Sequence, residues 1–262
     1  MLTINRIHKT FISENGLENN HVLKGISLSL NDGDFLTVIG GNGSGKTTLL
    51  NCICGLKKPD SGSILIDGED ITKLPEYKRA KLIGRVFQDP MQGTIPEMTI
   101  IENLSLALNR GKKAGFGWSM TKAKREFFEE QVKTFDLGLE NRLDERMKSL
   151  SGGQRQSLTL LMATFNQPKL LLLDEHTAAL DPKTAKKVME KTDEIVKCTH
   201  IPTIMITHNM RDAITYGNKL IMMKDGEIIF ECEGKEKTDL TVDKLIKKFS
   251  EEINELPDSM IL

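Results

Sequence analysis

The eight residues GGNGSGKT, Gly40–Thr47, constrain this chain more than any other stretch. They fit the pattern G-x-x-x-x-G-K-[ST] and stand between an apolar run, DGDFLTVIG, and a helical start, TTLLNCICGL. Strand, glycine-rich loop and helix in that order define a phosphate-binding loop. Glycine lets backbone amides turn inward around phosphate oxygens with no Cβ in the way. The dipole of the following helix adds only about 0.3–2 kcal/mol, too little to hold a polyanion alone. Lys46 must therefore carry the charge opposite the β- and γ-phosphates, and the Thr47 hydroxyl is suited to a magnesium ion. The predicted nucleotide-binding stretch is Gly40, Gly41, Asn42, Gly43, Ser44, Gly45, Lys46, Thr47 and Thr48.

The rest of the chain supplies the α/β setting such a loop needs. Short β-branched runs alternate with helical patterns. LTINRI, VLKGISLSL and SGSILIDGED read as strands, and residues 2–38 and 62–67 are expected to form a largely antiparallel layer. From Met98 to Gln167 the spacing turns helical in IIENLSLAL, KAKREFFEEQVKTF and RQSLTLLMATF. Residues 98–167 are therefore expected to form a helical subdomain inserted into an α/β core made of 1–97 and 168–235. LLLLD, TIMIT and KLIMM resume that core as short buried strands. Val242, Leu245, Ile246 and Phe249 mark one face of a short helix in the segment 236–262. The whole reads as a single α/β domain.

Within that domain LLLLDE, residues 170–175, is an odd place to leave charge. A carboxylate at the end of a buried run is costly unless it is paired or metal-bound. Ligands of open α/β sheets lie beyond the carboxyl ends of the strands, so Asp174 is placed to accept water ligands of the same magnesium. Glu175 follows where strand gives way to loop, and it is the candidate general base for an attacking water. A second anion-binding turn is offered by LSGGQRQ, Leu150–Gln156, where Ser151, Gly152 and Gly153 begin a helix. Alone, SGG is a common loop and helix cap. Ahead of LLLLDE it stops being ordinary.

With these motifs in this order the chain resembles the ATP-binding subunits of ABC transporters, over essentially residues 2–235. The resemblance implies a P-loop NTPase core with an N-terminal antiparallel β layer and an inserted helical subdomain. It also implies ATP hydrolysis with Mg2+. LSGGQ corresponds to the signature motif, so Ser151, Gly152, Gly153 and Gln154 would contact the γ-phosphate held by the loop of a second cassette. Gln88 in RVFQDP matches the Q-loop glutamine, which senses magnesium and the attacking water. Asp181 in AALD matches the D-loop aspartate, and His208 in MITHN the switch histidine. Phe11 corresponds to the adenine-stacking aromatic, where the family more often has tyrosine. Taken singly, His208 is an ordinary strand-end histidine and Gln88 an exposed turn residue; only the ordered set says otherwise. His176 departs from the family's D-E-P, and packing or hydrogen bonding is expected of it rather than ligation.

The resemblance further implies a head-to-tail dimer of two copies sandwiching two nucleotides, working on a separate transmembrane permease that docks around Gln88–Met98. The chain would then be cytoplasmic and peripheral on the inner face of the membrane. VIGGNGSGKTTLLN, GRVFQDP, DEHTAALDPKTA and THNMRDAITYGNKLIMM are similar to ATPases of bacterial importers for tryptophan, tyrosine or related amino acids. Those importers use an extracytoplasmic substrate-binding protein. The rival expectations are an exporter or lipoprotein-release ATPase and a soluble non-transport ABC ATPase.

Composition agrees. A net charge of −1 gives no reason to expect nucleic acid as a partner. No apolar run reaches bilayer length, and MLTINRIHKTF has no signal-peptide core. Cys52, Cys54, Cys198 and Cys232 are irregularly spaced and are expected as reduced core thiols. Arg110–Trp118 is basic and glycine-rich and reads as a solvated loop.

Overall fold

The computed structural model describes residues 1–12, 19–112 and 121–252. The elements run β1 (Leu2–Ile12), β2 (Asn19–Leu30), β3 (Phe35–Gly40), α1 (Lys46–Cys54), β4 (Ser61–Ile66), β5 (Glu69–Asp70) and α2 (Glu76–Arg79). They continue with β6 (Ile83–Val86), α3 (Ile100–Leu108), α4 (Lys122–Lys133), α5 (Gly152–Thr164), β7 (Leu170–Asp174) and α6 (Pro182–Thr199). The chain closes with β8 (Thr203–Ile206), α7 (Met210–Thr215), β9 (Lys219–Lys224), β10 (Glu227–Glu233), α8 (Gly234–Thr238) and α9 (Val242–Glu252). Two compact units emerge, one of Met1–Arg79 with Val196–Leu262, the other of Ala80–Ile195.

The first unit holds an antiparallel layer in the order β2-β1-β4-β5. Leu2 faces Leu30 on one side and Ile66 on the other, and Ile4 likewise faces Leu28 and Ile64. Leu2, Ile4, Ile7, Ile26, Leu30, Ile64 and Ile66 are all buried, the alternation expected of a sheet with one covered face. Residues 2–38 were expected to belong wholly to this layer; β3 corrects that. It runs parallel to β8 and β9, with Val38 opposite Ile206 and Ile221. All six of its residues are buried, the signature of a strand covered on both faces. β9 turns into antiparallel β10 through Asp225–Gly226, whose φ values of 48° and 86° are those of a type I′ turn. Lys237 of α8 is buried here, its ammonium donating to Thr37 Oγ1 and to the carbonyls of Tyr216 and Lys219.

The second unit is built on a helical core in which Ile100, Leu104, Phe128, Val132, Leu158 and Leu161 pack together with neighbouring apolar residues. Helix α3 is started by a capping box between Thr99 and Glu102. The parallel pair β6–β7 lies in the same unit, with Val86 opposite Leu173. Helix α5 approaches β6 so closely that a Cβ on Gly84 would meet Ala163 O at 2.5 Å.

Of the cysteines, Cys52, Cys54 and Cys232 are buried thiols, as expected, but Cys198 is exposed on α6 and is no core residue. Most of the Arg110–Trp118 loop, and the tail beyond residue 252, lie outside the described residues. No helix among the described residues is long and apolar enough to cross a membrane.

Candidate active site

Each unit carries its own part of the predicted constellation. In the first unit the loop 40–45 springs from the end of β3 and enters α1. Gly40 admits no side chain, since a Cβ there would lie 2.2 Å from Met223 O. Gly45, with φ of 99°, sits at the N-cap of α1 and offers no side-chain cap. The first turn of α1 also contains no acid, so its amides stay available to an anion. Lys46 arches back over the loop, its Nζ donating to Gly40 O at 2.8 Å and Gly41 O at 2.9 Å, with Ser44 Oγ at 3.4 Å. Thr47 is exposed beside it. An uncapped helix start, a lysine above it and an exposed hydroxyl fit a magnesium-bound triphosphate.

Phe11, half-buried in β1, has Lys9 Nζ and Lys57 Nζ at 5.6 and 5.7 Å from its ring centroid. His208 follows β8 half-buried, just ahead of Asn209, which caps α7 by accepting from the amides of Arg211 and Asp212.

In the second unit β7 delivers Asp174 buried and Glu175 half-buried. Glu175 has φ of 47°, a left-handed conformation that costs a non-glycine residue about 1–2 kcal/mol. The next residue, His176, is buried with its Nε2 3.2 Å from Thr192 Oγ1. Thr192 donates its own hydroxyl to Val188 O at 2.8 Å, so its oxygen accepts from the imidazole N–H. Burial pushes the His176 pKa down to about 4, which leaves a neutral ring pinned to α6.

LSGGQ folds as a capping box. Ser151 Oγ accepts from Gln154 N, the Gln154 side chain accepts from Ser151 N, and Ser151 and Gly152 stay exposed at the start of α5. Asp181 caps α6, its Oδ1 accepting from Thr184 N at 3.1 Å. Pro182 occupies the first turn, where a missing N–H costs nothing. Hydrogen bonds from Thr184 hold the Asp181 carboxyl below its ordinary pKa. Gln88 is exposed just past β6, in a turn where Asp89 Oδ1 accepts from Met91 N.

Three residues near these motifs went unnoticed in the sequence. Arg155 donates to the carbonyls of Met147, Lys148 and Leu150 and so clamps the segment that presents Ser151. Gln156, fully buried, donates to Phe87 O at 3.0 Å and ties α5 to the approach to Gln88. Arg85 forms a 2.9 Å ion pair with Asp174. The positions of Arg155 and Gln156 directly after LSGGQ were the available signal; Arg85 had none.

No group of three or more His, Cys, Asp or Glu residues able to hold a metal occurs among the described residues. Within the first unit the exposed Thr47 hydroxyl at the start of α1 suits magnesium, which keeps waters and takes further ligands from phosphates.

This site and fold define an ATP-binding cassette. The ABC transporter family profile matches residues 23–178, and the chain belongs to that family. It is an ATPase, as members of the family hydrolyse ATP. Among its relatives, the tyrosine transport ATP-binding protein of Clostridioides difficile (strain R20291) is 48% identical over 249 residues, 95% of this chain and 98% of that one. The spermidine/putrescine import ATP-binding protein PotA of Haemophilus influenzae (strain ATCC 51907 / DSM 11121 / KW20 / Rd) is 35% identical over 90% of this chain, which spans only 60% of that longer protein. A dimeric, post-hydrolysis ATP-binding cassette bound to ADP and Pi superposes with TM-score 0.76 and 31% identity, covering 89% of this chain and 98% of that one.

Proposed function

We propose that this chain is the ATP-hydrolysing subunit of a membrane importer for tyrosine, tryptophan or a related amino acid. The likeness to the tyrosine transport ATP-binding protein, which extends over nearly the full length of both chains, carries this reading. In the site, Lys46 and the amides of residues 40–48 bind the triphosphate, and Phe11 stacks on the adenine. Thr47, Asp174 and Gln88 hold the magnesium ion and its waters; when bound, that ion neutralises charge on the β- and γ-phosphates. Glu175 takes a proton from the attacking water while His208 and Gln88 orient it at the γ-phosphate.

Ser151, Gly152, Gly153 and Gln154 face the γ-phosphate held by a second copy, and Asp181 reports across that head-to-tail interface. The exposure of Ser151 and Gly152 at a built helix N-terminus supports an incoming phosphate. Hydrolysis removes the bridge between copies, and the dimer opens. Residues 98–167 form the subdomain that bears the signature, and the chain sits on the cytoplasmic face through its permease.

A cavity of about 350 Å³ in the second unit, lined by Gln92, Ile95, Leu106, Ala107, Arg110 and Met162, supports permease docking beside the Gln88 turn. A binding protein outside the membrane supplies the cargo. The test is to purify the chain with its native permease and screen amino acids, delivered by that binding protein, for stimulated ATP hydrolysis. Stimulation by tyrosine or tryptophan is expected. Hydrolysis indifferent to every amino acid would overturn the cargo and favour an exporter.

A further inference from the structure

Strand β6 places an arginine against the strand-end carboxylate of β7. In the parallel β6–β7 pair Arg85 stands opposite Leu172, and side chains two apart share a face, so Leu172 and Asp174 lie on one side of β7. The long side chain of Arg85 reaches one step further along that face. Its Nη2 donates to Asp174 Oδ2 at 2.9 Å, and both side chains are only 11% exposed. The guanidinium also lies over the Phe87 ring, 4.6 Å from the centroid, which fixes it from another side.

A carboxylate this buried needs a counter-charge at all times, because an isolated one is expensive to desolvate. Arg85 supplies it when no metal is present. We propose that Arg85 is a positioning residue that holds Asp174 as its counter-ion and competes with the divalent cation for that carboxylate. The inference rests on the assignment of Asp174 to the metal. Cation and guanidinium repel each other at this range, so each weakens the other's hold on Asp174, and the coupling is reciprocal. Arg85 thereby keeps the apo protein ordered and sets how much magnesium-nucleotide is needed to engage Asp174.

The test is a Mn2+ titration of the full chain with a non-hydrolysable ATP analogue, read by the paramagnetic resonance of free Mn2+, alongside thermal unfolding without metal. Arg85→Gln keeps a donor and removes the charge; it is expected to bind Mn2+ roughly tenfold tighter while its metal-free Tm falls, within the ordinary range of coupling through one group. Arg85→Lys keeps the charge and should stay near the parent affinity. Arg85→Met, which preserves a stem over Phe87, serves the same comparison if the glutamine variant folds poorly. A merely structural arginine would lower Tm and leave the affinity unmoved or weaker, and that result overturns the proposal. Asp174→Asn separates the two levels. If it weakens Mn2+ binding while Arg85→Gln does nothing, only the competition fails; if it leaves Mn2+ binding intact, the metal assignment fails with it.

Discussion

Gly153 at the start of α5 lies so close to Thr184 at the start of α6 that a Cβ added to it would sit 2.0 Å from Thr184 Cγ2. Gly152, one residue earlier, would meet nothing nearer than Leu180 Cδ2 at 3.4 Å. The two glycines of the signature therefore differ: one is required by packing, the other leaves the surface clear.

Gly153→Ala is expected to destabilise the chain by about 1–3 kcal/mol, the usual cost of forcing a methyl into a packed contact. Gly152→Ala should stay within about 0.5–1 kcal/mol of the parent. Thr184→Ser, which deletes Cγ2, should recover most of the loss in the double variant. Urea unfolding of the four proteins measures this cycle; strict additivity would show that the contact is not the cause.

Glu175→Gln should bind ATP, stop turning over and accumulate as a nucleotide-bound dimer. Nucleotide affinity, steady-state hydrolysis and size-exclusion chromatography check the three parts. Undiminished hydrolysis would remove Glu175 from the role of base.

His176, next in the chain to the left-handed Glu175, is pinned to α6 by its contact with Thr192. His176→Ala leaves a cavity and takes a donor from a buried hydroxyl, at a cost of about 2–4 kcal/mol. Thr192→Val removes the other partner of that hydrogen bond, the acceptor, while keeping the volume, and should cost less, about 1–2 kcal/mol. Both should lower kcat more than ATP affinity, because they disturb Glu175 and leave the phosphate loop intact.

Lys237 is buried, and burial pushes its pKa down to about 8 from the ordinary 10.5. Between those values the unfolded chain binds the proton and the folded chain does not. Its contribution to stability therefore rises as pH increases from about 8 to 10.5, by about 3 kcal/mol in total. Lys237→Met should lack this rise. Unfolding free energies of both proteins across that range give the difference; parallel curves would mean the ammonium stays charged in the fold.

Local chemistry was legible along the chain wherever neighbours in sequence make the structure. The strand–loop–helix of 35–54, the capping box of LSGGQ and the buried run ending in Asp174 are each written in consecutive residues. Their short-range hydrogen bonds and backbone angles are set by residues a few positions apart. The place of β3 was not legible, because an apolar strand of six residues suits either sheet until β8 and β9, far along the chain, flank it. Arg85 gave no sign for the same reason: its meaning depends on a parallel register that puts it one step behind Asp174 on a shared face.

His176 lies between these cases. Its departure from proline was visible, but its partner Thr192 became apparent only when α6 packed beside the loop. The sequence by itself determined that this chain binds and splits a nucleoside triphosphate, since those motifs are short and act through their own backbone. Only the tertiary structure decided what holds Asp174 in place, because a buried charge is neutralised by whatever the fold brings near it, however distant in the chain.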